Sequence, residues 1–477
     1  MPLSRDKVLI MKYSRTARVS ALLPAIVFAF GCNDLALEPF ASVSNDAYFE
    51  SIGDYRAAVV GVYDQMALAD WYGRSLHLMS DIMGEDVKQN GSANRYQEFA
   101  DFEGQVVTGH DFETELWAEG YEGINRLNMM INAESELPSG VQAEYNQILG
   151  EAYALRGLAY FSLVKMYAQH YTFTADASHP GIPIVLESDV AALPSRNTVG
   201  EVYSQVISDL TTGIGMMTQT RDGSYMMTKE AAQAILSRVY LYMEDWGNAV
   251  AMANTVISSG KYSLVEGQAY VDQFKTGGSS EAIFEIQNTD TDNRGSDSLG
   301  GMYRASGYGD YLPAKDLLDL IDPNDIRMQM FVVDPLLTGV YASHRVNKWP
   351  TQSNTDNIPV IRLSEVYLNR AEANAMLGQS AAAQADLNLI RQRGLATAPP
   401  VTATGQALLD EIALERRIEL GYEGHRIHDL MRHKKGVHRV DNTGDVADMG
   451  YPCQFCVLPI PQPETDTNPN IAQNAGY

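Results

Sequence analysis

Between residues 228 and 256 the chain writes two helices built to cross closely. Thr228 can cap a helix running to Met243, with Ser237 and Tyr240 three positions apart. Asp245-Trp246-Gly247 then breaks the pattern, and a second helix sets Ala249, Ala253 and Val256 on its inner face. Small side chains at a crossing let two helices approach, and an aromatic beside the turn seals the junction. After Arg362 the offsets return through Ala371, Asn374, Gly378, Ala383, Leu387 and Ile390. Another copy begins at Ile148, with Arg156-Gly157-Leu158-Ala159-Tyr160-Phe161 on its first helix; its partner, from about Glu201, is delayed by the loop 169–200. A further pair runs through 54–132, broken by insertions.

This spacing is the tetratricopeptide arrangement. Its pairs do not follow at a fixed period, so the repeats form a scaffold, about 45–260 and 360–432, interrupted by excursions. The excursions are 70–112, 262–359, 394–408 and the tail after Val437, all rich in Gly, Ser, Asn and Asp. The expected fold is mostly α, a tetratricopeptide-like scaffold of helical pairs with long irregular loops and few short strands. Residues 281–286 read as one such strand. Long irregular segments in a compact domain carry function more often than packing. The ligand-binding lobe is therefore placed at about 262–359 and 394–477.

Charge narrows the partners. The chain of 477 residues has net charge −25, and residues 1–31 hold five basic residues against one acidic. Residues 32–477 thus carry 30 Lys+Arg against 59 Asp+Glu, a net −29. Such an excess argues against nucleic acid and against docking on anionic lipid, and suits neutral ligands. Arg5, Lys7, Lys12, Arg15 and Arg18 form a basic leader before an apolar run, 19–31, that is too short to span a bilayer and contains Pro24. Residues 1–31 read as a signal peptide that is removed, with Met11 as an alternative start to Met1. Ala29-Phe30-Gly31-Cys32 resembles a lipobox, although Phe30 stands where Ala or Ser is usual. Lipidation is expected at Cys32, and acyl chains would hold the chain on a membrane without a transmembrane helix.

Chemistry is sparse. H-E-x-x-H, G-x-S-x-G, G-x-x-x-x-G-K-[ST] and G-x-G-x-x-G are all missing, and no carboxylate pair stands out for glycoside hydrolysis. No cofactor is expected. His425, His428, His433 and His438 cluster, but Lys434-Lys435 would repel a cation, so no metal is expected there. Asp290-x-Asp292 before Gly295 hints at a calcium loop, yet Arg294 occupies a ligand position. Arg416-Arg417, flanked by Glu415, Glu419 and Glu423, read as intrahelical ion pairs. Cys453-x-x-Cys456 is half a zinc site at most, leaving a small disulfide or two packed thiols.

A pyranose offers an apolar C–H face and a rim of hydroxyls, which flat aromatic rings and Asn, Asp, Arg or Gln recognise. Candidates in the excursions are Trp71, Tyr72 and Arg74 just past a helix end, Tyr303, Tyr308 and Tyr311 among glycines that should leave the rings exposed, and Trp349.

Two segments carry a resemblance: Arg362-Leu363-Ser364-Glu365-Val366-Tyr367-Leu368-Asn369-Arg370-Ala371-Glu372-Ala373, and Glu415-Arg416-Arg417-Ile418-Glu419-Leu420-Gly421-Tyr422-Glu423-Gly424-His425-Arg426 with His428-Asp429-Leu430. With Leu458-Pro459-Ile460-Pro461 and the ending Gln473-Asn474-Ala475-Gly476-Tyr477, they resemble the SusD/RagB family of outer-membrane glycan-binding lipoproteins. The resemblance covers about 32–477. It implies a cell-surface lipoprotein, not an enzyme, that captures oligosaccharides and acts as the lid of a SusC-like TonB-dependent transporter. A peptide-binding lid of a RagAB-type importer is the alternative, and a helical glycoside hydrolase a more distant one.

Overall fold

The computed structural model describes residues 48–477 apart from 92–94, 105–107, 135, 190 and 221–222. Cys32 and the leader lie outside the described residues. The longer helices are α1 Ile52–Met66, α2 Ser75–Ile82, α3 Asp111–Ile131, α4 Gln142–Tyr167, α5 Val199–Met216, α6 Lys229–Tyr242, α7 Trp246–Ser258, α8 Gln268–Thr276, α9 Leu363–Met376, α10 Ser380–Gly394, α11 Gly405–Glu419 and α12 Arg426–Arg432. The fold is mostly helical, as the sequence indicates.

Helix pairing follows the small-residue offsets. α1 packs on α3, α4 on α5, α6 on α7 and α9 on α10. Thr228 starts α6 by accepting from Ala231 N at 3.0 Å, and Thr198 with Glu201 forms a capping box at the start of α5. Ala249, Ala253 and Val256 of α7 are buried, as are Ala371, Ala383, Leu387 and Ile390 of the last pair. α4 and α5 cross at backbone contact: a Cβ on Gly213 would fall 2.5 Å from Gly150 O and 3.0 Å from Ala154 Cβ. The scaffold is continuous across its longest interruption, because α7 packs directly on α9.

A short sheet makes that continuity possible. The strand expected at 281–286 is Ala282–Ile286, and it pairs antiparallel with Ile358–Arg362, which runs straight into α9. The excursion between them leaves and returns through one two-stranded clamp. Val87–Gln89 pairs with Tyr311–Pro313, so the first excursion is stitched to the second. Phe331–Val333 pairs with His344–Val346, and Val437–His438 with Asp448–Met449.

The signature segments are the hub of a buried ionic network. Arg362 donates to Glu281 Oε1 at 2.8 Å, Glu419 Oε1 at 2.5 Å and Glu423 Oε2 at 2.8 Å. Arg393 also reaches Glu281 and Glu419, and Arg327 bonds Asp325, Glu415 and Glu419. The intrahelical pairing expected of Arg416 and Arg417 is not what forms. Arg416 donates to Asp429 and Asn369, each at 2.8 Å, and Arg417 to Asp86 at 2.7 Å and Asp316 at 3.1 Å. Burial is the reason. A guanidinium shut away from water needs several fixed acceptors, which other elements supply and one helix face does not. The glutamates it leaves serve Arg327 from the second excursion, Arg362 at the end of the clamp strand, and Arg391 and Arg393 of α10.

The clustered histidines face different groups. His428 Nε2 lies 3.2 Å from Ser80 Oγ, and His433 Nε2 lies 2.8 Å from Glu372 Oε1. His425 Nδ1 lies 3.4 Å from an Arg416 nitrogen, and His438 pairs with Asp448. Cys453 and Cys456, left open by the sequence, form a disulfide.

Candidate functional site

Most of the candidate rings point inward. Trp71 is 1% exposed and Tyr72, Tyr303, Tyr311 and Trp349 are also buried, as is Arg74. The expectation that these rings stand free is corrected by what each one packs against. Trp71 lies against Gly123 of α3, and the Tyr72 ring packs 6.2 Å from His77. Arg74 turns back to Asp70 at 2.5 Å and over the Phe112 ring. Tyr303 donates to Asp81 Oδ2 at 2.9 Å, and Trp349 meets Phe274 edge-on at 6.1 Å between centroids. None offers a free face to a sugar.

Tyr308 is the exception, 38% exposed. The glycines around it work differently from the sequence reading. Gly307 and Gly309 do not merely open space: a Cβ on Gly307 would fall 2.4 Å from Gly301 O. Gly301 O accepts from Tyr308 N at 2.7 Å and Gly309 N at 3.2 Å, and Gly309 takes φ +60°. This tight backbone loop draws Tyr303 and Tyr311 inward and turns Tyr308 out.

A second residue completes the site. The Arg95 guanidinium carbon sits 3.7 Å from the centroid of the Tyr308 ring. Arg95 is itself fixed from beneath. It donates to the buried Asp310 at 2.9 Å, and its carbonyl accepts from Tyr311 OH at 2.6 Å and Gln89 Nε2 at 3.3 Å. Asn90 donates to Asp310 O and to Gly309 O, which locks the two loops together. Tyr308 OH donates to Asp297 Oδ1 at 3.0 Å. That hydrogen bond to a carboxylate holds the Tyr308 phenol above its ordinary value, and Asp310 does the same for Arg95. The result is a rigid stacked pair with carboxylates and an amide around it, chemistry suited to an apolar ring bearing hydroxyls.

Sequence reading missed Arg95, Asn90, Asp297 and Asp310. A signal was present in Arg95-Tyr96, a cation beside a ring as in Trp71-Tyr72-Gly73-Arg74.

Comparison with known proteins agrees with this architecture. Residues 248–477 match the SusD family profile, and residues 43–241 match one described as starch-binding associating with outer membrane. SusD-like protein P2 of Formosa agariphila is 25% identical, aligning over 94% of this chain and 97% of its own. A Bacteroides vulgatus protein of solved structure, named as a candidate sugar-binding protein, is 30% identical; 90% of this chain superposes on 99% of it with a TM-score of 0.83. A SusD-like carbohydrate-binding protein of the same organism is 26% identical, with 89% and 98% coverage and a TM-score of 0.76. The chain belongs to the SusD/RagB family.

Proposed function

We propose that this protein captures oligosaccharides at the outer-membrane surface and delivers them to a SusC-like TonB-dependent transporter, over which it acts as a lid. The observation that carries the reading is the exposed Tyr308–Arg95 stack, formed where the first and second excursions meet and held from below by Asp310 and Tyr311. Relatives named for sugar and carbohydrate binding support the ligand class, and a family description that mentions the outer membrane supports the location. The work is capture without chemistry. Ligand bound at the lid favours the closed arrangement by its extra contacts there, which is all a binding protein needs in order to bias closure. Lipidation at Cys32 would keep the protein beside its transporter.

The test is calorimetric titration of the mature protein with oligosaccharides, followed by co-isolation from native membranes in mild detergent. Saccharide binding that Tyr308→Ala weakens, together with recovery of a TonB-dependent barrel, is the expected result. Binding of peptides and of no saccharide would redirect the reading to peptide import, and saccharide turnover would make the protein an enzyme.

A further inference from the structure

A cleft of about 540 Å³ opens along the outer side of α1. Its floor is Ala57, Val60, Gly61 and Asp64 of that helix, and Tyr225, Gln287 and Asp292 face them. From this geometry we infer that the cleft is a second saccharide subsite, taking an uncharged sugar unit of an oligosaccharide that also rests on Tyr308. The inference depends on the glycan-capture reading above and extends it to ligand length and charge.

The floor is a flat strip. Val60 is half exposed, and a Cβ on Gly61 would meet no atom of the described residues within 4 Å. A glycine inside a helix is less favourable than alanine there, because it loses more backbone freedom on folding. Here no packing among the described residues uses the space so left. A volume of this size lies within the range of small-molecule sites, roughly 300–1,000 Å³.

The walls supply rings and hydroxyl partners. Tyr63 lines the cleft with its hydroxyl pinned, donating to Glu151 at 3.0 Å and accepting from Met227 N at 2.7 Å. Tyr225 also lines the cleft, and its hydroxyl is hydrogen-bonded to the Gln287 and Asn357 side chains. Glu285 lines the inner end, but its carboxylate is taken up by Ser224 Oγ, Gly278 N and Asn357. The open rim is formed by Asp64 and Asp292, whose side chains are 64% and 48% exposed.

Charge sets the selection. Among the described residues lining the cleft, none is Lys or Arg. The guanidinium at its edge, Arg294, sits 3.8 Å from Asp64 and 3.1 Å from Asp292, and its Nε donates to Ala67 O at 2.8 Å. A uronate or sulfate entering here would meet two carboxylates against one guanidinium, a net negative rim, whereas neutral hydroxyls carry no charge to be repelled and find carboxylate acceptors.

One loop joins the two places. Gln287 and Asp292 face the cleft, and Asp297, five residues on, receives the Tyr308 hydroxyl. The segment 287–297 thus borders both the cleft and the Tyr308 hydroxyl.

The experiment uses Gly61→Gln, which fills the floor and raises helix propensity, so the fold is retained; thermal melting checks this. Wild type, Gly61→Gln, Tyr308→Ala and Asp64→Asn/Asp292→Asn are titrated with neutral disaccharides and hexasaccharides of glucose, mannose, xylose and galactose, and with hexagalacturonate. Gly61→Gln should weaken hexasaccharide binding about tenfold, matching the loss of about 1.4 kcal/mol of contact, and leave disaccharide binding at Tyr308 unchanged. The double Asn variant should gain hexagalacturonate binding. If Gly61→Gln binds hexasaccharides like wild type while Tyr308→Ala does not, the subsite is overturned and glycan capture at Tyr308 stands. Loss in Gly61→Gln with none in Tyr308→Ala supports the cleft and removes Tyr308. Wild-type protein that binds no saccharide, or binds only casein-digest peptides, overturns both.

Discussion

Trp71 and Gly123 share one space: a Cβ on Gly123 would lie 2.6 Å from the indole Cη2. The glycine in α3 is a socket for the ring, which fixes the chain where it leaves α1. Trp71→Ala should therefore act on stability and cost about 3–5 kcal/mol, as large-to-small core changes do. Gly123→Ala should cost about 1–3 kcal/mol through overpacking. Urea denaturation measures both, and midpoints like wild type would return Trp71 to the surface.

Buried histidines give the fold an acid limb. Burial pulls His77 down to about 4 from an ordinary 6.5, with its Nε2 3.2 Å from Pro359 O. Between pH 6.5 and 4 the unfolded chain takes up the proton and the folded chain does not, so stability falls as pH falls through that window. The full effect is about 3 kcal/mol, because each tenfold difference in proton affinity between the folded and unfolded chain is worth about 1.4 kcal/mol. Glu113 works in the opposite sense. Burial raises it to about 7, so its folded form stays protonated and gains stability as pH drops from 7 toward 4.5. Comparing His77→Gln with wild type isolates the first contribution. The variant's stability should decline less between pH 6.5 and 4, and parallel curves would show that His77 does not titrate this way.

The helical scaffold was legible because its signal is local. Ser237, Ala249 and Ala253 declare a crossing within one stretch of chain, and their burial follows. Exposure of a loop ring is not local. Tyr303 is buried by Asp81 and Tyr422, and Trp349 by Phe274, none of them neighbours in sequence. The same limit applies to Arg417, whose partner Asp86 lies 331 positions away. Glycine in a loop reads as openness, whereas at Gly307 it serves close backbone approach to Gly301.

Arg362 should be among the least replaceable residues. Burial alone would raise Glu419, but Arg393, Arg362 and Arg327 hold it well below the usual carboxylate range. Arg362→Met removes the cation that Glu281, Glu419 and Glu423 share, leaving buried carboxylates short of a partner. A loss of about 3–5 kcal/mol is expected from breaking such a pair on one side. Chemical denaturation checks it, and a change under about 1 kcal/mol would mean the network relaxes around the gap.

Acylation at Cys32 is the expected anchor, so Cys32→Ala should release the mature chain from the membrane fraction of cells that lack the transporter. Fractionation followed by immunoblotting reads this directly. Retention of Cys32→Ala protein on membranes that lack the transporter would rule out acylation at that residue as the anchor.

Arg95 and Tyr308 should behave as one binding unit. The guanidinium covers one side of the ring at 3.7 Å, and Asp310 fixes it there at 2.9 Å. Tyr308→Ala removes the platform, and saccharide affinity should fall several-fold, on the order of 1 kcal/mol, as for other aromatic contacts. Arg95→Lys keeps the charge but loses the planar stack and its fixed fork, so it should lose affinity too, though less. Neither change touches the core, so both melting temperatures should stay within a few degrees of wild type. The double variant separates contact from positioning. If Arg95 acts by steadying the ring, its loss adds little once Tyr308 is gone; if it contacts sugar independently, the two losses add. Calorimetry on the three variants decides between them, and wild-type affinity in both single variants would take this pair out of the site.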